Sequence, residues 1–348
     1  MIKVLIAEDS PSIAAIMRDL LKRDPEIDIV GWAKSGREAV SMRNTLEPDV
    51  ITMDLNMPLM GGLEAIRTIS TTRPVPILVV SSLIENRDSE LAFEALRCGA
   101  LDIMGKPSGV GPGAFTRIGE ELKFRIKAVS RIHPMRRYSR SPVPDAAKRN
   151  PHTPRKLRQP LVVIGASTGG PPALAKILGD LPRYLPVPIA VVQHIATGFV
   201  AGLRQWLERQ STLPVHVASD EVPLQSGHVY LAPDDRHLEV ASGRILTLNS
   251  GAPRGGHRPS VDRLMESAAH VYGPDVLGVL LTGMGRDGAA GLKSIRDAGG
   301  RTIVQDEATS LVFGMPREAI LNDAAEIVSP LDKIAGEIVE AVQPTVEA

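Results

Sequence analysis

From Lys3 to about Lys127, short apolar runs alternate with segments whose apolar residues recur three and four apart. The runs KVLIAED, DIVGWA, DVITMDL, PILVVSS and LDIMGKP read as strands buried on both faces. Between them, PSIAAIMRDLLKR, GREAVSMRNTL, GLEAIRTIS, SELAFEALRCG and FTRIGEELKFRIKAV read as crossover helices with one apolar stripe each. This order predicts a parallel doubly wound sheet, a (βα)5 flavodoxin-like domain. From about Ile132 to Gln159 the periodicity stops, and HPMRRYSRSPVPDAAKRNPHTPRKLRQ has the proline, serine and basic content of a tether. After Pro160 the alternation returns in LVVIGAS, PIAVVQH, PVHVAS, HVYLAP, HLEVAS, ILTLN, VLGVLLTG, RTIVQD and EIVSP. Fewer helical segments punctuate these strands, over Pro172–Gly179, Gly198–Gln210, Ser260–Ala269 and Ala289–Ala298, and Val215–Leu248 reads as a run of short hairpins. The second domain is therefore expected to be α/β as well, a doubly wound parallel sheet with an antiparallel hairpin insertion. The expected division is 1–127, a tether over 128–159, and 160–348.

Length agrees with two domains, since 348 residues exceed what one hydrophobic core usually holds. Lys+Arg and Asp+Glu total 40 each, so the net charge points to neither nucleic acid nor membrane. The balance conceals a local asymmetry: between Lys123 and Arg158 twelve basic residues face one acid, Asp145. Such a run reads as a solvated tether, with a nucleic-acid arm as the alternative. Cys98 is the sole cysteine, which excludes an intrachain disulfide or a cysteine-metal cluster and fits a reducing compartment. MIKVLIAEDS lacks the features of a signal peptide, and no run approaches the roughly 18 apolar residues of a spanning helix. A cytoplasmic protein without membrane insertion is expected.

In an open parallel sheet, ligands gather beyond the carboxyl ends of the strands. In the first domain those ends carry Glu8-Asp9, Asp54, Ser81-Ser82 and Lys106-Pro107. Singly, each acid serves equally well as a helix cap. Together, converging carboxylates call for a hard cation such as Mg²⁺, and an opposing lysine completes a phosphoryl-binding charge pattern. ED, MDLNMP, SS and KP, in that order across about 120 residues, resemble the response-regulator receiver family. The resemblance implies that Asp54 accepts phosphate from a histidine kinase. It also implies that Glu8, Asp9, Asp54 and the Asn56 carbonyl hold Mg²⁺, and that Ser81 and Lys106 touch the phosphoryl group. One position departs from the family: Ile103 stands three before the lysine, where an aromatic switch residue is common, so an aromatic rotamer switch is not expected.

The second domain opens on LVVIGASTGGPPAL, a strand, a glycine-rich turn and a helix start. The turn lacks the Gly-Lys-Ser/Thr ending of a P-loop, and its glycines at 165, 169 and 170 fit neither GxGxxG nor GxSxG. What remains is Ser167 at a strand's carboxyl edge beside a helix N-terminus, where a developing oxyanion would be stabilised. A tight strand-helix turn with no catalytic role has the same pattern. A serine nucleophile needs a base. His194 closes the apolar strand PIAVVQH and so reaches the same sheet edge, while His257 in GGHRPSVD is the runner-up, on a glycine-rich loop able to fold over a site. A base needs an orienting acid, and Asp287 in LTGMGRDGAAG occupies a third strand-turn-helix, where a helix cap is its alternative role.

IGASTGGP, VVQHIATGF, GHRPSVDRLMES, LTGMGRDGA and VQDEATSLVFGMPREA, in this order, resemble the catalytic domain of the CheB family of chemotaxis methylesterases. With the receiver ahead of it, the resemblance spans the chain. It implies a Ser167 nucleophile, a His194 base and an Asp287 orienting acid, with Thr168 and the Met284 backbone N–H near the oxyanion. It further implies hydrolysis of glutamate methyl esters and deamidation of glutamines on chemoreceptor cytoplasmic helices, through a glutamyl-enzyme. The phosphodonor would be a kinase of the CheA type, and the only cofactor Mg²⁺ in the receiver, with none in the hydrolase domain. An unphosphorylated receiver is expected to inhibit and a phosphorylated one to release. A transcription regulator and a non-catalytic adaptor are the rival classes. The former lacks a helix-turn-helix pattern, and the latter would not need all three triad residue types.

Overall fold

The computed structural model describes residues 1–81, 86–107, 114–131 and 160–342. The chain divides into two compact units, Met1–Pro142 and Val143–Ala348. The tether expected over 128–159 lies outside the described residues from 132 onward, as does Ser82. Among the described residues, no helix is long and apolar enough to cross a membrane.

The first unit runs β1 (Ile2–Ala7), α1 (Pro11–Lys22), β2 (Ile27–Ala33), α2 (Gly36–Leu46), β3 (Val50–Met53), α3 (Gly62–Thr72), β4 (Ile77–Ser81), α4 (Asn86–Cys98), β5 (Asp102–Gly105) and α5 (Ala114–Ser130). The five strands pair in parallel in the order β2-β1-β3-β4-β5. Local chemistry explains the starts. Ser10 caps α1 by accepting from the Ile13 N–H, with Pro11 as first helical residue, and Ser35 caps α2 by accepting from Glu38 N–H. The apolar stripe of α1 (Ala14, Met17, Leu20, Leu21) is buried, and Met17 and Leu21 pack with Val4, Ile6, Leu78 and Val80 of the sheet and with Leu122 and Ile126 of α5. Helix α5 continues to Ser130, three residues beyond the expected domain end at 127.

The second unit runs β6 (Leu161–Ala166), α6 (Gly170–Asp180), β7 (Ile189–Gln193), α7 (Val200–Gln210), β8 (Val215–Val217), β9 (Val222–Pro223), β10 (Val229–Leu231), β11 (His237–Ala241), β12 (Ile245–Asn249), α8 (Val261–Tyr272), β13 (Val276–Leu280), α9 (Ala289–Asp297), β14 (Arg301–Gln305), α10 (Met315–Leu321), β15 (Ile327–Ser329) and α11 (Leu331–Val342). Seven strands form one sheet in the order β15-β14-β13-β6-β7-β10-β8, and every pairing in it is parallel. The expected run of hairpins over Val215–Leu248 is therefore only partly found. β8 and β10 extend the parallel sheet, and only β9, β11 and β12 form an antiparallel three-stranded sheet. The reason is burial: β10 is buried along its whole length beside β7, and so short a strand shows no alternation to mark it as parallel. Strand β6 sits between β13 and β7, with the later strands laid out on both sides of it, which makes its carboxyl end the switch point where α/β sheets open a crevice.

Candidate active site

Ser167 follows β6 directly and is 6% exposed. Its N–H donates to the Thr282 carbonyl at 3.0 Å, and its own carbonyl accepts from Gly170 N–H at 2.8 Å, which closes the turn. The same carbonyl accepts from Gln193 Nε2 at 2.8 Å, and that amide also donates to the His194 carbonyl at 2.8 Å. Gln193 thus ties the serine turn to the histidine strand end, and it explains one glycine. A Cβ at Gly170 would stand 1.9 Å from Gln193 Oε1. On the other side, Thr282 Oγ1 donates to the Thr168 carbonyl at 2.9 Å, and a Cβ on Gly283 would lie 2.7 Å from that of Ser167. The backbone after β13 passes close to the serine only because Gly283 has no side chain. Met284 follows in the same turn and is 38% exposed, whereas Thr168 is buried.

His194 extends the β6-β7 pairing through its N–H to the Ala166 carbonyl at 2.9 Å. Its Nε2 lies 2.9 Å from Asp287 Oδ2. A carboxylate only accepts, so in the neutral ring Nε2 carries the proton and Nδ1 the lone pair. That Nδ1 is buried and has no hydrogen-bond partner among the described residues. Asp287 accepts three more hydrogen bonds, from Ser260 Oγ (2.8 Å, Oδ1), Val261 N (2.7 Å, Oδ2) and Asp262 N (3.1 Å, Oδ1). Burial pushes this carboxyl upward, but the bond and charge of His194 and the donors at the start of α8 outweigh it and hold it well below the usual range. The same carboxylate thus holds the His194 ring and caps a helix. It caps α8, a helix other than the one it precedes.

Two further histidines pack beside these residues. His257, the runner-up base, stacks face to face on the His194 ring, with centroids 4.0 Å apart and planes inclined by 2°. His237, placed in the hairpins, is fully buried, accepts from Ser260 N at Nδ1 (3.2 Å) and pairs through Nε2 with the Ala252 carbonyl (3.1 Å). It sets Ser260 against Asp287. Alternation in HLEVAS places it with Glu239 and Ala241, on the face opposite the core residues Leu238 and Val240, so period two gives no sign of its burial.

In the first unit, the Glu8, Asp9 and Asp54 carboxylates each offer an oxygen, all within 4.8 Å of one another. An all-oxygen set of this kind fits a hard divalent cation such as Mg²⁺. Glu8 and Asp54 are buried and Asp9 is exposed. Lys106 Nζ reaches Glu8 at 2.8 Å and Asp54 Oδ2 at 2.9 Å. Burial raises both carboxyls above their usual range against the lowering effect of that lysine. For Lys106, burial works downward, but its two carboxylate partners hold the ammonium above its ordinary value. Asp54 also accepts from Leu55 N at 2.8 Å. Asn56 lies in the loop after it, and Ser81 ends β4, pairing in register with Gly105 just ahead of Lys106. Ile103 is buried in β5, and its carbonyl accepts from the Arg125 guanidinium at 3.0 Å.

Comparison with known proteins finds matches for both units. Residues 162–338 match the CheB methylesterase family and residues 4–111 the response regulator receiver domain. The protein-glutamate methylesterase/protein-glutamine glutaminase 4 of Myxococcus xanthus is 43% identical over 342 residues, covering 98% of this chain and 97% of its own. The protein-glutamate methylesterase/protein-glutamine glutaminase of Nitrosospira multiformis is 41% identical over 346 residues, covering 98% and 97%. Among solved structures, the CheB methylesterase catalytic domain of Thermotoga maritima aligns over its whole length with 53% of this chain, at 39% identity and a TM-score of 0.52. This chain belongs to the CheB methylesterase family, with a response-regulator receiver domain ahead of its methylesterase domain.

Proposed function

We propose that this protein is a phosphorylation-regulated protein-glutamate methylesterase that also deamidates glutamines, acting on the cytoplasmic helices of methyl-accepting chemoreceptors. The observation that carries the reading is the His194 ring, fixed through Nε2 by Asp287 at the strand end beside Ser167, with Nδ1 unpartnered among the described residues. Ser167 Oγ attacks the γ-carbonyl of a methylated glutamate while His194 Nδ1 takes its proton. The tetrahedral oxyanion forms beside the start of α6 and the turn after β13, with Thr168 and the Met284 N–H as its neighbours. Collapse expels methoxide, which leaves as methanol with the proton from His194, and a glutamyl ester on Ser167 remains. Water then attacks that ester, again deprotonated by His194, and releases glutamate and free serine. With glutamine the leaving group is ammonia and the remaining steps are unchanged. Asp287 stays ionised and stabilises the imidazolium, as its four donors support.

In the receiver, Asp54 is the phosphoryl acceptor, Lys106 and Ser81 contact the phosphoryl oxygens, and Glu8, Asp9, Asp54 and the Asn56 carbonyl hold Mg²⁺. When bound, Mg²⁺ neutralises charge on the transferring group. The donor is a histidine kinase of the CheA type, and the working domains are 1–127 and 160–348, joined by the basic tether in the cytoplasm.

A fluorophosphonate probe tests the reading on the whole protein. Labelling at Ser167 that disappears in Ser167→Ala, and that rises with acetyl phosphate in wild type but not in Asp54→Asn, is the expected pattern. Labelling elsewhere, or none in either state, rejects it in favour of an adaptor.

A further inference from the structure

Two helix starts face each other behind the triad, and each holds the carboxylate of the other. Asp287, one residue before the glycine that leads into α9, takes the Val261 and Asp262 N–H groups at the start of α8. Asp262, in the first turn of α8, takes the Gly288 and Gly291 N–H groups at the start of α9, at 2.9 and 2.7 Å, both on Oδ1. The close approach is built in. A Cβ on Gly291 would lie 2.9 Å from Asp262 Cα, and Gly288 has φ +92°. Helix N-termini stabilise anions, so exchanging caps satisfies four donors and two carboxylates together, Asp287 buried and Asp262 half-buried.

We propose, resting on the triad assignment above, that Asp262 is a positioning residue for catalysis. Its Oδ1 fixes the turn that aims Asp287 at His194, and its negative charge stands behind Asp287, on the side away from His194. The charged groups facing Asp262 are Asp287 from the α9 turn and Arg254 from the loop before α8, whose Nε lies 3.9 Å from Oδ2 and which is itself paired with Glu266 of α8. On the far side, Asp287 meets His194, and His194 meets His257. Arg254 offsets part of the Asp262 charge, and its bidentate pairing with Glu266 limits how much.

Because both N–H groups go to one oxygen, Asp262→Asn keeps the cap and removes only the charge, whereas Asp262→Ala removes both. The readout is the rate of fluorophosphonate labelling at Ser167 against pH, on the full chain. Labelling needs neutral His194, so its rate falls on the acid side as the imidazolium forms. Loss of a nearby negative charge destabilises the imidazolium, and in Asp262→Asn the acid limb should move to lower pH by roughly half a unit. Asp262→Ala should in addition slow labelling across the whole range, by about tenfold or more, as Asp287 loses its aim. An acid limb in Asp262→Asn that coincides with wild type overturns the proposal, even if Asp262→Ala fails to fold, since a purely structural cap would lower stability without moving that limb. Failure of the triad assignment looks different: wild type itself would then show no labelling at Ser167, or labelling that survives His194→Ala.

Discussion

The two pockets of this protein use carboxylates at the carboxyl edge of parallel sheets to opposite ends. In the receiver, Asp54 and Glu8 are buried around one lysine, and burial lifts both carboxyls above their ordinary range. In the hydrolase, Asp287 is buried too, yet it is held far below that range. Burial is common to both, so the donors decide. Asp287 is met by two backbone N–H groups at a helix start, a hydroxyl and an imidazole N–H. Asp54 has a lysine and the backbone of its own loop. Around Asp287 the donors outweigh burial. Around Asp54 burial outweighs the lysine and the loop backbone.

The strongest way to break this contrast is to neutralise the over-satisfied member. In Asp287→Asn one oxygen becomes an NH₂ group, and in either amide orientation that group meets a backbone N–H, Val261 on one side or Asp262 on the other. Donor would face donor in both, and with the NH₂ group on the Val261 side His194 would also lose the acceptor that fixes its tautomer. Labelling of Ser167 should fall roughly 10³- to 10⁴-fold. A loss under tenfold would show that Asp287 does not hold the base. Lys106→Met probes the other pocket. It leaves two buried carboxylates unpaired, which should cost about 3 kcal/mol of stability without divalent cation. Mg²⁺ competes for the same oxygens, so it should raise the melting temperature of Lys106→Met more than that of wild type. Equal shifts would mean that the cation binds elsewhere.

Why some of this was legible and some not comes down to the range of the interactions. The five strands and helices of the receiver follow from local periodicity, and Ser167, His194 and Asp287 could be found because each ends an apolar strand at a glycine or polar turn. The strands β8 and β10 were misplaced in hairpins because a strand of three residues is too short to carry a period. The triad's scaffold was invisible for a different reason. The Gln193 clamp, the His237-Ser260 support and the exchange of caps between α8 and α9 join residues up to 29 positions apart, through side-chain bonds that no spacing encodes. The glycines were the visible trace of them, since Gly170, Gly283 and Gly291 mark where another residue comes too close for a Cβ.

The smallest effect discriminates most finely, because it asks whether the Asp54 carboxylate is held at a cost. In Asp54 the folded-state value is raised, chiefly by burial, so ionising it is harder in the folded chain than in the unfolded one. Above that raised value the folded state carries the penalty; below the ordinary aspartate value of about 3.9 the group is neutral in both states and the penalty is gone. Asp54→Asn removes the charge and leaves Lys106 its bond to Glu8. The variant should therefore be more stable than wild type near neutral pH without Mg²⁺, by under about 1 kcal/mol, and the difference should shrink as pH falls toward 4. Denaturant unfolding of both proteins at several pH values measures it. The same comparison at Asp287 must have the opposite sign, because there the folded value is depressed and ionisation stabilises the fold. If Asp54→Asn were destabilising throughout, Lys106 would be satisfying Asp54 as fully as α8 satisfies Asp287. The two pockets would then differ in chemistry but not in how their carboxylates are held.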